Sequence, residues 1–397
     1  EVHVAPVRGT LDILILCDYY LPGFAAGGPI QSIAHIAQKE PHRTSIVTRN
    51  HDMTSKESYP GVREGAWTAR PEANVMYVMR PVARWWRWVR EARKLHVDVL
   101  YLNSLHSLGF TLWPLVLLRS GLLRAPCVLV APRGECSEGA LRKKGLKKRV
   151  ARQFIRWLLK PRRVWHVSSS REKEDLTRWW GGQLPDSHQV LIRTNPSPPP
   201  VMTRPDSSRA PDTRVVSFAS RIDPMKGLEE AIEVLSLTTE PCVFRIHGSV
   251  SSQDYWRNCE RKLLGLPSTV QLELRGSFKP DELSGILDDS DLLILPTHGE
   301  NFGHVIASAL SRGCPVAISD RTMWSEVVRE GGGIAANDLQ EIWIYLERFL
   351  RLSETEIQNV RSATALAYAR WYSLNTDSGS LFAEASELCR ASRRERS

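Results

Sequence analysis

One stretch limits the possible folds more than any other: residues 291–324, DLLILPTHGENFGHVIASALSRGCPVAISDRTMW. Residues 291–295 form a short apolar run that stops at Pro296, as a buried parallel strand would. Residues 297–303 are polar and contain glycine, so they read as a loop. Helical spacing over 305–310 ends at Gly313, and a second apolar run over 315–319 ends at Asp320. Strand, loop, helix and strand in that order make one parallel crossover unit, the building block of α/β folds. Its loop sits at the carboxyl end of a strand, where open α/β sheets bind ligands. The helix it opens offers free N–H groups and a partial positive charge. Gly303 would let an anion come close to them. Residues 300–304 are therefore a candidate phosphate seat. An ordinary turn without a ligand is the competing reading.

The same pattern recurs. In residues 217–228, SFASRIDPMKGL, a strand ends at Ala219 and a helix begins near Gly227. Arg221 and Lys226 lie on the loop between them, which the pattern predicts to be exposed. A planar guanidinium and a point charge beside a helix start can neutralise a diphosphate. Near the start of the chain, DILILC at 12–17 is a buried strand. It runs into DYYLPGFAAGGP at 18–29, with Gly27, Gly28 and then Pro29, a residue suited to the first helical position. Further strands are expected over 44–48, 75–79, 97–102, 127–131, 164–167 and 190–193. After the Pro- and Ser-rich linker at 195–213 they resume over 214–219, 243–247, 270–274, 292–295 and 316–319. Helices close the chain, over about 338–352, 354–371 and 376–390.

These motifs together resemble family 4 of the retaining glycosyltransferases, the group 1 type that includes enzymes of bacterial cell-surface polysaccharide synthesis. The resemblance rests on the Gly27–Gly28 loop, the R-x(4)-K-G element at Arg221, Lys226 and Gly227, and the loop-helix from Glu300 to Ser308. The RNHDMTS segment from Arg49 and the YPGV that follows add to it. It implies the GT-B fold, in which two Rossmann-like α/β domains face each other across a deep cleft and the last helix crosses back to the first. The expected domains are an acceptor-binding one at 1–200, with a helix at about 374–397 packing back, and a donor-binding one at 201–373. The resemblance implies a donor site made of Gly27, Gly28, Arg221, Lys226, Glu300, Asn301, Phe302, Gly303, His304, Val305 and Ser308. Glu300, Arg221, Lys226 and His106 are the catalytic candidates, and Asp18 and Arg133 the acceptor or phosphate candidates. In the family a second glutamate usually stands where this chain has Ser308, and it binds the ribose hydroxyls.

The implied reaction moves a sugar, with retention, from a UDP- or GDP-linked nucleotide sugar to a glycan or lipid-linked acceptor. It needs no cofactor and no metal, and the leaving phosphate helps to remove the acceptor proton. Ser308 keeps a second reading open, that of a degenerate, non-catalytic GT-B relative acting as a binding or scaffold protein.

Composition bears on partners and place. A chain of 397 residues, 42% hydrophobic and 24% charged, is long enough for more than one globular core. The net charge of +9 favours acidic partners. Residues 81–95 and 141–165 interleave Arg and Lys with Trp, Phe and Leu. Such segments suit an anionic membrane surface, with a surface helix whose tryptophans enter the core as the competing reading. A nucleic-acid backbone is a third possibility, not expected here because no nucleic-acid motif accompanies the charge. The seven cysteines are scattered and form no Cys-x-x-Cys pair. They are expected to be reduced and buried in a cytoplasmic protein, peripheral on the inner face of the cytoplasmic membrane.

Overall fold

The computed structural model describes residues 10–39, 43–53, 55, 57–79, 81–137, 145–161, 163–201, 213–375 and 379–394. Much of the expected linker, 202–212, lies outside them, as do 141–144 and 162 of the second basic segment. The chain divides into two units, Glu1–Pro196 with Asp377–Ser397, and Ser197–Thr376.

The first unit is built on eight strands: β1 (Asp12–Leu16), β2 (Arg43–Arg49), β3 (Trp67–Ala69), β4 (Asn74–Val78), β5 (Val99–Leu102), β6 (Cys127–Val130), β7 (Arg163–Val167) and β8 (His188–Ile192). They run in the order β3-β4-β2-β1-β5-β6-β7-β8. All neighbours are parallel except β3, which pairs antiparallel with β4 at the edge. The short edge strand β3 has no apolar run to announce it. The central strands are Leu, Ile and Val runs buried on both faces, as a covered parallel sheet requires. From β1 the chain winds outward to β2 and β4, then returns to β5 on the other side. That reversal puts the loops after β1 and β5 at the switch point, where such sheets bind ligands.

The helix Leu381–Arg394 packs on β5, β6 and β7. Leu381, Phe382, Ala385 and Cys389 are buried against the sheet, with Phe382 edge-on to Tyr101 at 5.8 Å. Glu384 pairs with Arg193. This docking corrects one expectation. Cys127 on β6 and Cys389 on the helix form a disulfide, their Cα atoms 5.6 Å apart and 262 residues apart in sequence. Cys17, Cys136, Cys242, Cys259 and Cys314 are free and buried, as expected.

The second unit holds β9 (Arg214–Ala219), β10 (Cys242–His247), β11 (Val270–Gly276), β12 (Leu292–Leu295), β13 (Val316–Ile318) and β14 (Ile334–Ala335). Their order is β11-β10-β9-β12-β13-β14, all parallel. Here β9 and β12 flank the switch point. The long helix Glu354–Asn375 packs on the helices His304–Ser311 and Ser325–Glu330. Its Tyr368 and Trp371 close over the buried Trp324, with Trp371 4.3 Å away between ring centres.

The basic segments divide between core and surface. Trp88, on the helix Trp85–Ala92, is buried and donates to the Pro81 carbonyl at 3.0 Å. Its neighbour Trp86 is half exposed, with Arg87 over its ring. On the helix Gly145–Leu159, Ile155, Leu158 and Leu159 are buried, while Phe154 and Trp157 face outward and stack on each other. Among the described residues no helix is long and apolar enough to cross a membrane.

Candidate active site

In the second unit the strand order brings together the loops after β9 and β12. The backbone locks them to each other. The Met225 carbonyl accepts from the Thr297 hydroxyl at 2.6 Å and from the His298 amide at 3.0 Å. Gly227 takes φ of +75° against Pro296, and a Cβ there would come within 2.1 Å of the Pro296 oxygen. Only glycine fits that crossing.

Lys226 and Glu300, from the two loops, form an ion pair at 2.5 Å. Their side chains are only 16% and 15% exposed. The expectation of an exposed loop is thus corrected for Lys226, which lies against the second loop because Gly227 permits the close approach. Arg221 is half-buried, and among the described residues it makes no ion pair. Lys226 and Glu300 therefore meet at the switch point, and Arg221 lies on the same loop as Lys226.

Gly303, with φ of +78°, opens the helix His304–Ser311, and no side chain caps that end. No acidic residue stands in its first turn. The helix Leu228–Ser236 beside Lys226 differs, because Glu229 and Glu230 occupy its first turn. Glu229 pairs with Lys262 at 2.9 Å and Glu230 with His298 at 2.6 Å. An anion is therefore favoured at the start of His304–Ser311 and opposed by like charge at the other helix. The loop before it is braced from behind. Phe302 is buried edge-on to Trp324 at 5.4 Å, and the Trp324 ring N–H donates to the Phe302 carbonyl. Asn301 is half-buried, and the His304 ring lies 4.8 Å from that of Phe302. His304, Val305 and Ser308 are the half-buried positions of the helix, while Ile306, Ala307, Ala309 and Leu310 are buried. Positions 304, 305 and 308 share one helix face, so Ser308 stands beside the anion seat.

In the first unit, Gly27 takes φ of +68° just before the helix Gly28–Lys39. The preceding loop is shaped by Asp52, which sequence reasoning did not single out. Its carboxylate accepts from the Phe24, Ala25 and Met53 amides. Asp18 is paired with Arg49 at 2.8 Å, and the Arg49 guanidinium also lies over the Tyr19 and Phe110 rings.

Arg133 has a left-handed backbone, φ of 54°, in a position uncommon for a non-glycine residue. Each of its three guanidinium nitrogens donates one hydrogen bond, to Asn103 at 2.6 Å, Asn195 at 2.5 Å and the Tyr101 hydroxyl at 2.7 Å. It ties together the ends of three strands. Tyr101 in turn bonds His166, whose other ring nitrogen meets the Arg193 carbonyl at 3.1 Å. Burial, then the charge of Arg133, pushes His166 down to about 3, so the ring is neutral.

His106 lies on the loop after β5, 42% exposed, with its Nδ1 2.9 Å from Glu135. Glu135 is a second residue that sequence reasoning passed over. Among the described residues no group of three or more His, Cys, Asp or Glu side chains is placed to hold a metal ion.

Comparison with known proteins bears on the fold that carries these residues. Residues 203–361, which carry the Arg221, Lys226 and Glu300 cluster, match the family described as "Glycosyl transferases group 1". No curated protein sequence matches the chain. Solved structures match at nearly full length. Sucrose-phosphate synthase from Thermosynechococcus elongatus is 15% identical with a TM-score of 0.69, covering 97% of this chain and 99% of its own. HepE of Anabaena, in complex with UDP and glucose, is 16% identical with a TM-score of 0.62, covering 97% and 100%. WaaG, a glycosyltransferase of lipopolysaccharide biosynthesis, is 15% identical with a TM-score of 0.60, covering 96% and 99%. The chain thus has the α/β architecture of the GT-B glycosyltransferases, with two Rossmann-like sheets.

Proposed function

We propose that the protein is a retaining glycosyltransferase of family 4 type, which moves a hexosyl group from a nucleotide diphosphate sugar to a hydroxyl of a glycan or lipid-linked acceptor. The observation that carries this reading is the Lys226–Glu300 pair at the switch point of the second unit, with Arg221 on the loop of Lys226 and a helix start without a side-chain cap beside it. The hard step of such a reaction is departure of the nucleoside diphosphate. Arg221, Lys226 and the first-turn amides of His304–Ser311 would stabilise the charge that grows on it, by positioning and electrostatics. These groups supply the positive charge that a metal provides in other enzymes. Glu300 holds Lys226 in place and faces the sugar end of the donor. HepE, solved with UDP and glucose, supports a uridine nucleotide as the first donor to try.

The test is release of nucleoside diphosphate from UDP- and GDP-linked sugars, with the Arg221→Ala/Lys226→Ala variant as control. Turnover in that variant equal to wild type overturns the reading. The non-catalytic alternative, raised by Ser308, predicts nucleotide binding without release.

The acceptor side rests on the surface of the first unit. Trp86, Phe154 and Trp157 expose half of their side chains, with Arg87 over Trp86 and Arg119 over Trp157 at 4.6 Å. Aromatic rings flanked by arginines suit an anionic leaflet, where a lipid-linked acceptor and a site of action in polysaccharide synthesis would lie. Sedimentation with liposomes should rise with anionic lipid content and fall with salt. Equal sedimentation with neutral vesicles would count against this mode.

A further inference from the structure

His106 and Glu135 are more closely organised than a surface ion pair needs to be. Glu135 sits on the loop after β6, and His106 on the loop after the neighbouring strand β5. One carboxylate oxygen, Oε2, accepts from the Leu105 amide at 2.9 Å, the His106 amide at 2.8 Å and the His106 ring at 2.9 Å. Among the described residues the other, Oε1, accepts from the Ser104 hydroxyl at 2.8 Å, and Ser104 in turn accepts from the Ser107 amide at 3.2 Å. The buried Trp179 lies edge-on to the imidazole at 6.4 Å and limits its rotation.

A carboxylate only accepts hydrogen bonds. The imidazole nitrogen facing it, Nδ1, must carry the proton, so Nε2 of the neutral ring presents a lone pair. A lone pair on an exposed ring seeks an O–H donor and repels an oxyanion. We infer that Glu135 is a positioning residue that fixes His106 as the Nδ1–H tautomer, so that Nε2 accepts a hydrogen bond from a hydroxyl of a bound sugar substrate. This rests on the transferase reading above and names a contact within it. The hydroxyl belongs to the acceptor or to the donor sugar.

Two variants separate the tautomer from the loop. Glu135→Gln can place its carbonyl oxygen where Oε2 lies and its amide where Oε1 meets the Ser104 hydroxyl, so the ring bond survives. Glu135→Ala removes every acceptor at once. The first readout is nitrogen NMR of histidine-labelled protein, with the His106 signals assigned by their loss in His106→Gln. In wild type, Nδ1 should be pyrrole-like and Nε2 pyridine-like. Glu135→Gln should keep that pattern and Glu135→Ala lose it. A wild-type ring protonated on Nε2, or a pattern that survives in Glu135→Ala, overturns the inference.

The second readout is kinetic. His106→Ala and Glu135→Ala should each lower turnover, by about a hundred-fold where positioning is the cause. Glu135→Ala should add nothing to His106→Ala, and Glu135→Gln should stay within several-fold of wild type. If Glu135→Ala costs as much without His106 as with it, its role is to hold the loop, and the inference falls. The source of the hydroxyl is read by comparing transfer with donor hydrolysis in the absence of acceptor. A raised acceptor KM with hydrolysis intact assigns it to the acceptor, and loss of both activities together assigns it to the donor sugar. No change in either overturns the contact. If wild type releases nothing from any donor, the transferase reading fails instead, while the ring signals still decide the tautomer.

Discussion

The ion pair between Lys226 and Glu300 makes stability and donor binding separable in one experiment. Both side chains are about five-sixths withdrawn from water, at 16% and 15% exposure, so neither charge is well solvated alone. Breaking a buried pair by removing one partner costs about 3–5 kcal/mol. The residual exposure puts this pair at the lower end, about 3 kcal/mol. Lys226→Met keeps most of the aliphatic stem and removes the charge, which leaves Glu300 buried without its cation. Glu300→Gln does the reverse. Replacing both partners removes the stranded charge, so Lys226→Met/Glu300→Gln should return to within about 1 kcal/mol of wild type. With about 3 kcal/mol lost in each single variant and about 1 kcal/mol in the double, the coupling between the two sites should be about 5 kcal/mol, well beyond the few tenths expected of independent sites. Nucleotide binding should behave differently. Losing a charged hydrogen bond to the diphosphate costs about 1.5–3 kcal/mol, a ten- to hundred-fold loss of affinity. That loss should appear in Lys226→Met and should not be recovered in the double variant. The assays are urea denaturation of the four proteins and calorimetric titration of UDP and GDP into each. Additive stability losses would refute the buried pair, and unchanged nucleotide affinity in Lys226→Met would refute the phosphate role.

Three further outcomes follow from the same geometry. Gly303→Ala should destabilise by about 1–3 kcal/mol and weaken nucleotide binding, because its φ is +78° and a Cβ would sit 3.0 Å from Glu300 and Ile306; a denaturation midpoint equal to wild type would contradict this. Ser308→Glu should tighten binding of the preferred nucleoside diphosphate by up to about a hundred-fold, the value of one charged hydrogen bond; calorimetry that finds no gain removes the ribose from this helix face. His166 is held near 3 when folded and near 6.5 when unfolded, so its contribution is fully present above about pH 6.5. It fades as pH falls toward 3, by about 1.4 kcal/mol per pH unit. His166→Gln should remove one proton's worth of that slope in urea denaturation between pH 7 and 4.5, and an unchanged slope would show that the ring is not held neutral.

What could be foreseen from the sequence follows a physical division. Strands β9 and β12 were legible because each is a run of buried apolar residues ended by a polar loop, and the crossover order dictates that both loops emerge at the same sheet edge. Arg221, Lys226, Glu300 and Gly303 could be placed there without coordinates. Contacts between loops were not legible, since they depend on the distance between residues far apart in the chain. Lys226 looked exposed because its partner stands 74 residues away. The bond between Cys127 and Cys389 spans 262 residues and exists only because the last helix lies on β6. The three partners of Arg133, at positions 101, 103 and 195, were likewise out of reach of a reading along the chain. Glu135 was overlooked for the complementary reason. It stands in the PRGECSE loop beside a more conspicuous arginine, and only the pairing of β5 with β6 brings it to His106.

The charge at the switch point gives Ser308 a meaning that residue-by-residue comparison misses. Arg221 and Lys226 contribute two positive charges and Glu300 one negative, so the cluster keeps one positive charge. A glutamate at position 308 would bring it to neutrality. Its carboxylate would stand on the same helix face as His304, close to the end that favours anions. The gain at the ribose would therefore be set partly against a weaker field at the diphosphate. With serine the field remains whole and the ribose contact is reduced to what one hydroxyl can make. A site built this way grips the leaving group more firmly than the nucleoside. The reacting end needs only the former, because charge develops on the diphosphate and not on the ribose. The departure at Ser308 is thus compatible with turnover. It should appear as weak discrimination among nucleotide bases, since the contacts that would hold a base in register are fewer.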